Sequence, residues 1–270
     1  PFTPATGARV LVRDPARLAE MVAVFAQATI AIGERARLGS AHVLFCDERE
    51  SAAWTDAGFL RRLGVQYHWQ NRGYRTFEDF LKDLPSKKRT QIRRERAQPA
   101  RDGVTIRTLA PEELTPELAR TMHRIYLTTV DKFTWGRRYL NARFFELVAE
   151  RFRHRLAWVV AERGGEVVAG AFNVEKGDHL YGRYWGAFVE LPMLHFNVCY
   201  YHGVEHAIGK GLRVFEPGAG GEHKRARGFR PTVTYSAHHV AHPRLADAIG
   251  DFVRHEAERI EAYVASGGDD

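Results

Sequence analysis

Three apolar segments joined by two tight glycine turns constrain the fold of this chain more than any other feature. The segments run over residues 156–162, 166–175 and 179–185. The turns at 163–165 and 176–178 contain glycine, which adopts the left-handed backbone conformations that tight hairpins need. The pattern therefore predicts three consecutive antiparallel strands joined as hairpins.

Other segments extend this meander into an α/β pattern. A strand is predicted at 104–107, and Thr115 followed by Pro116 indicates a helix start by cap and proline chemistry. A helix over 193–209 leads into a short strand at 213–215. We therefore predict an α/β (α+β) fold whose mixed sheet is flanked by helices.

The N-terminal part has the same order of elements on a smaller scale. A helix over 14–38, a strand at 42–46, a short helix and an extended segment at 59–69 follow one another without a preceding hairpin. This order is typical of the second half of an α/β unit. The predicted domains are residues 1–75 as an incomplete unit, 76–102 as a basic linking helix and 103–270 as a complete domain.

The charge of the chain favours an anionic partner. Its 270 residues include 40 Lys and Arg against 33 Asp and Glu, which gives a formal net charge of +7. Such an excess is typical of proteins that bind nucleic acid, a phosphorylated donor or a membrane surface. The cations form two clusters: Lys87, Lys88, Arg89, Arg93, Arg94 and Arg96, and Lys224, Arg225, Arg227 and Arg230.

Cysteine usage and hydropathy indicate the compartment. Cys46 and Cys199 lie far apart within apolar segments, as expected for buried free thiols in a reducing environment. No uninterrupted run of about 18 apolar residues is seen, so no membrane span is expected. These features predict a cytoplasmic protein.

A glycine-rich basic loop is the strongest candidate for a binding site. Residues 218–228 follow the strand at 213–215 and the acid Glu216, and they include His223 and Lys224. Glycines let backbone N–H groups approach a ligand, and strand ends are where α/β folds usually bind ligands. The alternative is a solvated, mobile basic turn.

Four segments together resemble a known family. They are Lys87 to Glu95, Leu180 to Gly186, Leu194 to Tyr201 and Gly221 to Lys224. In combination they resemble the FemAB-like family of predicted N-acyltransferases of peptidoglycan biosynthesis/recognition. The resemblance covers the chain from its first residues to about Glu258. It implies a GNAT-like acyltransferase fold with a partial second GNAT-like unit at the N-terminus. It also implies transfer of an acyl or aminoacyl group to an amine, such as that of a peptidoglycan-type precursor.

Two positions depart from the patterns that this resemblance implies. The phosphate-binding signature of acetyl-CoA-using GNAT enzymes, Arg/Gln-x-x-Gly-x-Gly/Ala, is absent from the loop at 187–192. Pyrophosphate binding at the following helix start is therefore unsupported. Asn197 stands where the family usually carries an acid. The anionic acyl donor can be either acyl-CoA or an aminoacyl-tRNA, and the sequence does not distinguish them. No cofactor is assigned.

The candidate catalytic residues lie at two strand ends. Glu216 or His223 can take the proton from an attacking ammonium, and Lys224 can stabilise the oxyanion. Tyr181 or Tyr184 can act as a general acid toward the leaving group. The alternatives are ion pairs of the acids with nearby arginines and aromatic packing on the sheet.

The candidate substrate-binding residues are cationic, aromatic or amide side chains in the same segments. Arg89 and Arg93, one helical turn apart, are expected to line a groove for phosphates, the alternative being a solvated helix. The remaining candidates are Arg183, Trp185, His195, Asn197, Arg225 and Arg227.

His202, Glu205 and His206 match the H-x-x-E-H zinc pattern. No clear third ligand follows, packing around a domain core with local hydrogen bonds is the favoured interpretation, and no metal is assigned. The function hypotheses are thus an N-acyltransferase, a non-catalytic module that holds an anionic ligand, and a zinc hydrolase.

Overall fold

The computed structural model describes residues 3–132 and 138–268. Its internal contacts divide the chain into two compact units. The central unit runs from His68 to Phe229, and the terminal unit combines the chain up to Tyr67 with the chain from Arg230 onward.

The elements follow in chain order. The helices are α1 (Leu18–Arg35), α2 (Glu48–Asp56), α3 (Phe77–Lys82), α4 (Ser86–Arg101), α5 (Pro116–Val130), α6 (Ala142–Arg151), α7 (Leu194–Phe196), α8 (His202–Gly209) and α9 (Pro243–Ala265). The strands are β1 (Ser40–Cys46), β2 (Leu60–Gln70), β3 (Val104–Thr108), β4 (Val159–Arg163), β5 (Glu166–Lys176), β6 (His179–Ala187), β7 (Val214–Glu216) and β8 (Arg230–Val240). A π-helical stretch, Asn197–Tyr201, joins α7 to α8.

The terminal unit is built around β1 and β8. These strands pair antiparallel from Ser40↔Val240 onward, and the first part of β2 lies on the other side of β8. Helix α1 packs on α2 because apolar side chains recur along one of its faces, and Val22 and Ala26 are buried in the same cluster as Trp54.

One helical segment of the terminal unit meets the length and composition criteria for a membrane span. Pro15–Arg35, 21 residues long, passes both tests, whereas the sequence analysis expected no such segment. Core helices of water-soluble folds pass the same tests, but only 17% of this window is buried: Leu18 and Val22 lie in the core of the unit, whereas Phe25 and Ile32 are exposed. Length and composition therefore do not identify a span here.

The sheet of the central unit contains the predicted meander. Strands β3, β4, β5 and β6 pair antiparallel in sequence order, and β6 pairs parallel with β7. The end of β2 pairs antiparallel with β7, with Trp69 opposite Phe215. Gly165 and Gly177 have φ of 84° and 59°, which is the left-handed conformation that the two turns require.

Helices cover both faces of this sheet. Because successive strand residues point to opposite faces, Val160 packs with Phe145 of α6, while its neighbour Val159 packs with Val198 beyond α7. The predicted mixed sheet flanked by helices is confirmed.

The observed units differ from the predicted domain boundaries after residues 75 and 102. Strand β8 pairs with β1, so the C-terminal segment joins the N-terminal one and not the predicted 103–270 domain. Helix α4 is part of the central unit because Ile92 and Glu95 are buried there.

Candidate functional site

Strands β6 and β7 of the central unit separate after a short parallel pairing. The last paired residues are Tyr181 and Glu216. Beyond them β6 continues, while the chain after β7 turns at Pro217 into the glycine loop. The β5–β6 register shifts between Phe172 and Asn173, which makes Arg183 an extra residue in β6. The separation opens a cavity between the strands.

The cavity has a volume of about 290 Å³ and collects predicted residues from three segments. Its walls include Arg183, Tyr184, Trp185, His195, His223 and Lys224. No carboxylate of the described part of the chain lines it. The cavity therefore combines two cationic side chains with imidazole and aromatic groups.

Lys224 holds the glycine loop in shape. Its side chain is 2% exposed, and Nζ donates hydrogen bonds to the carbonyl oxygens of Gly218 at 2.7 Å and Gly220 at 2.6 Å. Burial lowers the pKa of Lys224 to about 8. The ammonium is thus still protonated at neutral pH and loses its proton more easily than a solvated lysine.

His223 and His195 place two imidazoles at the cavity. His223 Nε2 lies 2.9 Å from Tyr200 Oη, and the His195 ring centroid lies 4.6 Å from that of Trp185. Burial lowers the pKa of both histidines, that of His195 to about 4, and raises the pKa of Tyr200. At neutral pH both imidazoles are neutral, and the Tyr200 phenol keeps its proton.

Tyr181 and Glu216 do not line the cavity. Glu216 is 3% exposed, and its Oε2 lies 3.9 Å from Nε2 of the buried His68, whose pKa burial lowers to about 4. The Tyr181 ring stacks on that of His179 with centroids 5.7 Å apart. These two predicted catalytic residues thus share a register position at the point where the strands separate.

Asn197 and Arg227 are buried beside the site and do not line the cavity. Asn197 Nδ2 donates to the backbone oxygens of Glu95 and Met193, both at 2.9 Å. Arg227 Nη2 donates to Glu95 Oε2 at 2.9 Å, and Nη1 donates to the backbone oxygen of His223 at 2.9 Å. Asn197 thus connects the π-helical stretch to α4, and Arg227 connects α4 to the loop that carries His223.

The arginines of α4 also lie outside the cavity walls. Arg89 Nη1 donates to the backbone oxygen of Leu84 at 2.8 Å, and the exposed Arg93 pairs with Glu78 at 2.7 Å. Arg225, also a predicted phosphate contact, is half-buried in the loop and is not a wall residue.

The H-x-x-E-H residues are satisfied within the protein. His202 Nε2 lies 2.9 Å from Thr108 Oγ1, and His206 Nε2 lies 2.6 Å from Glu175 Oε1. Glu205 pairs with an arginine of α4 at 2.5 Å. In residues 3–132 and 138–268 no three His, Cys, Asp or Glu side chains could hold a metal ion. The zinc hypothesis is therefore not supported.

Three wall residues with polar or reactive side chains were not among the predicted site residues: Asn173, Cys199 and Tyr200. Burial raises the pKa of the Cys199 thiol, which stays protonated at neutral pH. The one signal for Asn173 in the sequence is an amide inside an otherwise apolar strand segment, Ala169 to Val174.

Comparison with known proteins gives a family and a set of similar folds. A family model described as peptidoglycan biosynthesis/recognition matches residues 1–269. A search of curated proteins gave no match to the chain.

Three solved structures share the fold at low sequence identity. The C-terminal domain of a putative lysylphosphatidylglycerol synthetase from Agrobacterium fabrum has a TM-score of 0.63 and 13% identity, covering 90% of this chain and 80% of that one. L-PGS from Bacillus licheniformis has a TM-score of 0.62 and 12% identity, with 88% and 79% covered. FemX has a TM-score of 0.53 and 10% identity, with 93% and 84% covered. At these identities the similarity shows the fold alone.

Proposed function

This chain belongs to the FemAB-like family, and we propose that it is an acyl- or aminoacyltransferase that moves the acyl group of an activated donor to an amine. The resemblance that the sequence motifs indicated, and the fold class expected from it, are confirmed. The proposal that follows concerns the reaction and the residues that carry it.

The cavity between β6 and β7 is the observation that carries the proposal. Attack of an amine on an acyl carbonyl places negative charge on the carbonyl oxygen. Arg183 and Lys224 bring positive charge to the cavity, and no described carboxylate opposes it. The acyl carbonyl binds between these groups, with the glycine loop as the adjoining wall.

His223 is the proposed proton acceptor. Its pKa is lowered by burial, so the imidazole is neutral at pH 7 and can accept a proton from the attacking ammonium. In the tautomer this role requires, Nε2–H donates to Tyr200 Oη, which orients the ring and leaves Nδ1 free to accept the proton. Glu216, the other predicted base, lies outside the cavity walls, so we assign proton transfer to His223.

The donor is a phosphate-bearing molecule, either acyl-CoA or an aminoacyl-tRNA. Helix α4 supplies exposed cations in the unit that contains the cavity, among them Lys87, Arg93 and Arg94. Cys46 and Cys199 are both free thiols, which supports a reaction in the cytoplasm. The proposed acceptor is an amine of a peptidoglycan-type precursor.

A non-catalytic module that holds an anionic ligand is the second candidate function. It is favoured by the hydrogen bonds of Lys224, because the three N–H donors of the ammonium already have three acceptors, the carbonyls of Gly218, Ala219 and Gly220. In this case the loop binds a ligand without stabilising an oxyanion.

Single-turnover acyl transfer from a panel of acyl-CoAs and charged tRNAs to a peptidoglycan precursor peptide distinguishes the two. We expect transfer by the wild type and a loss of about 100- to 1000-fold in Lys224→Met, roughly 3 kcal/mol of transition-state stabilisation. His223→Gln should change the pH dependence of the rate. Lys176→Met, at an exposed lysine at the end of β5, is the matched control.

Circular dichroism checks that each variant is folded. If the wild type transfers an acyl group and Lys224→Met does so at the same rate, the assignment of Lys224 is wrong. If no donor reacts while an anionic ligand binds, the non-catalytic module is the correct function.

A further inference from the structure

Two histidines of the terminal unit face each other across β1 and β8. His42 lies opposite His238 in the antiparallel register, and their Nδ1 atoms are 2.8 Å apart. His42 is exposed and His238 is half-buried, so a small solute can reach the pair from solvent. The proposed acyl transfer does not use these residues, because every wall residue of the cavity belongs to the central unit.

The outer nitrogen of each imidazole is held by a serine of its own strand. Ser40 Oγ lies 2.9 Å from His42 Nε2, and Ser236 Oγ lies 2.8 Å from His238 Nε2. Each serine is two residues from its histidine and therefore lies on the same face of the strand. Histidines that bind metals usually have their second ring nitrogen hydrogen-bonded to a neighbouring group, which fixes the tautomer and the ring orientation. The two inner Nδ1 atoms are thus the nitrogens that can share a ligand.

The distance between the Nδ1 atoms fits two ligands of one metal ion. Two nitrogens that bind an ion at about 2.0 Å and at right angles lie about 2.8 Å apart, whereas tetrahedral ligands lie about 3.3 Å apart. In the ligand-free pair one Nδ1–H donates to the other Nδ1 across 2.8 Å. A turn of both rings is enough to direct the two lone pairs to one point.

The charges around the pair are compatible with a cation. Burial, followed by the neighbouring His42 and Arg62, lowers the pKa of His238 to about 4, so this imidazole is neutral at pH 7 and can donate a lone pair. Arg62 donates two hydrogen bonds to the Glu256 carboxylate, at 2.8 and 3.0 Å. This carboxylate offsets the positive charge of the guanidinium.

We propose that His42 and His238 bind a divalent transition-metal ion through both Nδ1 atoms, with Cu(II) as the preferred ion. Two imidazoles at right angles suit tetragonal Cu(II), which nitrogen ligands also bind more tightly than Ni(II) or Zn(II). Both Nε2 atoms then carry protons and donate to Ser40 and Ser236. No third His, Cys, Asp or Glu side chain of the described chain joins the pair, so water completes the coordination.

The bound ion links the two segments that build the terminal unit. His42 lies in the segment before the central unit and His238 in the segment after it. An ion that binds the folded protein more tightly than the unfolded chain stabilises the fold. The site therefore couples the stability of the terminal unit to the supply of the metal.

Cu(II) titration of the untagged full chain tests the site. We expect one tight Cu(II) per chain, with an electron paramagnetic resonance spectrum that shows two bound nitrogens. His42→Gln and His238→Gln should each weaken binding by at least about tenfold, because even the loss of a partner behind a ligand typically costs about 10- to 100-fold. His255→Gln, at an exposed histidine of α9, is the matched control and should bind like the wild type.

An experiment on the wild type alone guards against variants that do not fold. Paramagnetic Cu(II) at less than one equivalent should broaden the amide NMR signals of residues 40–44 and 236–240 before all others. Broadening that begins elsewhere would overturn the inference. Unchanged affinity in both folded histidine variants, or a wild type that binds no Cu(II) and holds only a hydrogen-bonded pair, would also overturn it.

Urea unfolding measures the predicted link between the two segments. Saturating Cu(II) should raise the urea midpoint of the wild type and of His255→Gln, and should leave that of His238→Gln unchanged. An equal rise in His238→Gln would contradict the site. The inference goes beyond the proposed function, and no readout requires turnover, so a failure of acyl transfer leaves it standing.

Discussion

Arg227 and Glu95 form an ion pair between two buried side chains, with Arg227 Nη2 2.9 Å from Glu95 Oε2. Tyr201 donates a hydrogen bond to the same carboxylate, and Arg227 also bonds the backbone oxygen of His223. The pair connects α4 to the loop that carries His223 and Lys224. The position of the proposed proton acceptor therefore depends on a charge pair behind it.

Breaking this pair on one side should destabilise the protein strongly. Arg227→Met leaves a buried carboxylate without its cation, which typically lowers the free energy of unfolding by about 3–5 kcal/mol. Glu95→Gln should have a similar effect, and the double variant should lose less than the sum of the two. Urea denaturation measures all three, and additive losses would show that the two residues are not coupled.

The stability should fall as the pH drops from about 6.5 to about 4. Burial lowers the pKa of His68, His195 and His202 to about 4, from 6.5 for the unfolded group. In this window the unfolded chain binds protons that the folded protein does not, so protonation favours unfolding, and the stability is fully present only above pH 6.5.

Urea midpoints measured across this pH range test the assignment. His202→Gln should reduce the slope of stability against pH, whereas His154→Gln, at an exposed position, should leave it unchanged. Equal slopes in the wild type and His202→Gln would show that His202 does not contribute.

Gly186 of β6 should not tolerate a side chain. A Cβ atom there would lie 2.0 Å from the backbone oxygen of Ile125 and 2.4 Å from Thr128 Oγ1, both on α5. Gly186→Ala should therefore lower the unfolding free energy by about 1–3 kcal/mol or more. Gly209→Ala at the end of α8 meets no atom within 4 Å and should change it by less than about 1 kcal/mol. Similar thermal midpoints for both variants would contradict this packing.

The cations of α4 should contribute to binding of a polyanion. Replacing Arg89 and Arg93 by alanine should weaken binding of deacylated tRNA and flatten the slope of log affinity against log salt by about 1 to 2, because fewer counterions are released. Glu78→Gln removes the partner of Arg93 and should strengthen binding. Filter binding over a KCl series measures both, and unchanged slopes would indicate a solvated helix.

The sequence predicted those parts of the fold that depend on local chemistry. The meander follows from glycine turns, and the start of α5 follows from Thr115, whose side chain accepts a hydrogen bond from the backbone N–H of Leu118. The pairing of Ser40 with Val240 has no local signal, since it joins residues from opposite ends of the chain.

The candidate site also combines features that the local sequence predicts with features that have no local signal. Arg183 and Lys224 meet at one cavity because strand β6 and the loop after β7 lie at the same edge of the sheet, and His195 of α7 lines the same cavity. The inward direction of Arg227 could not be predicted, because it depends on a single acid, Glu95, within a helix of cations. The π-helical stretch that places Asn197 against α4 likewise has no sequence signature.

The terminal unit is built from two segments that are separated by the whole central unit, and this affects the order in which the units fold during synthesis. The central unit is continuous from His68 to Phe229, whereas β1 must wait for β8 to leave the ribosome before the two can pair. N-terminal segments usually fold first as a chain emerges. Here the cavity can form on the nascent chain while β1 is still without its partner strand.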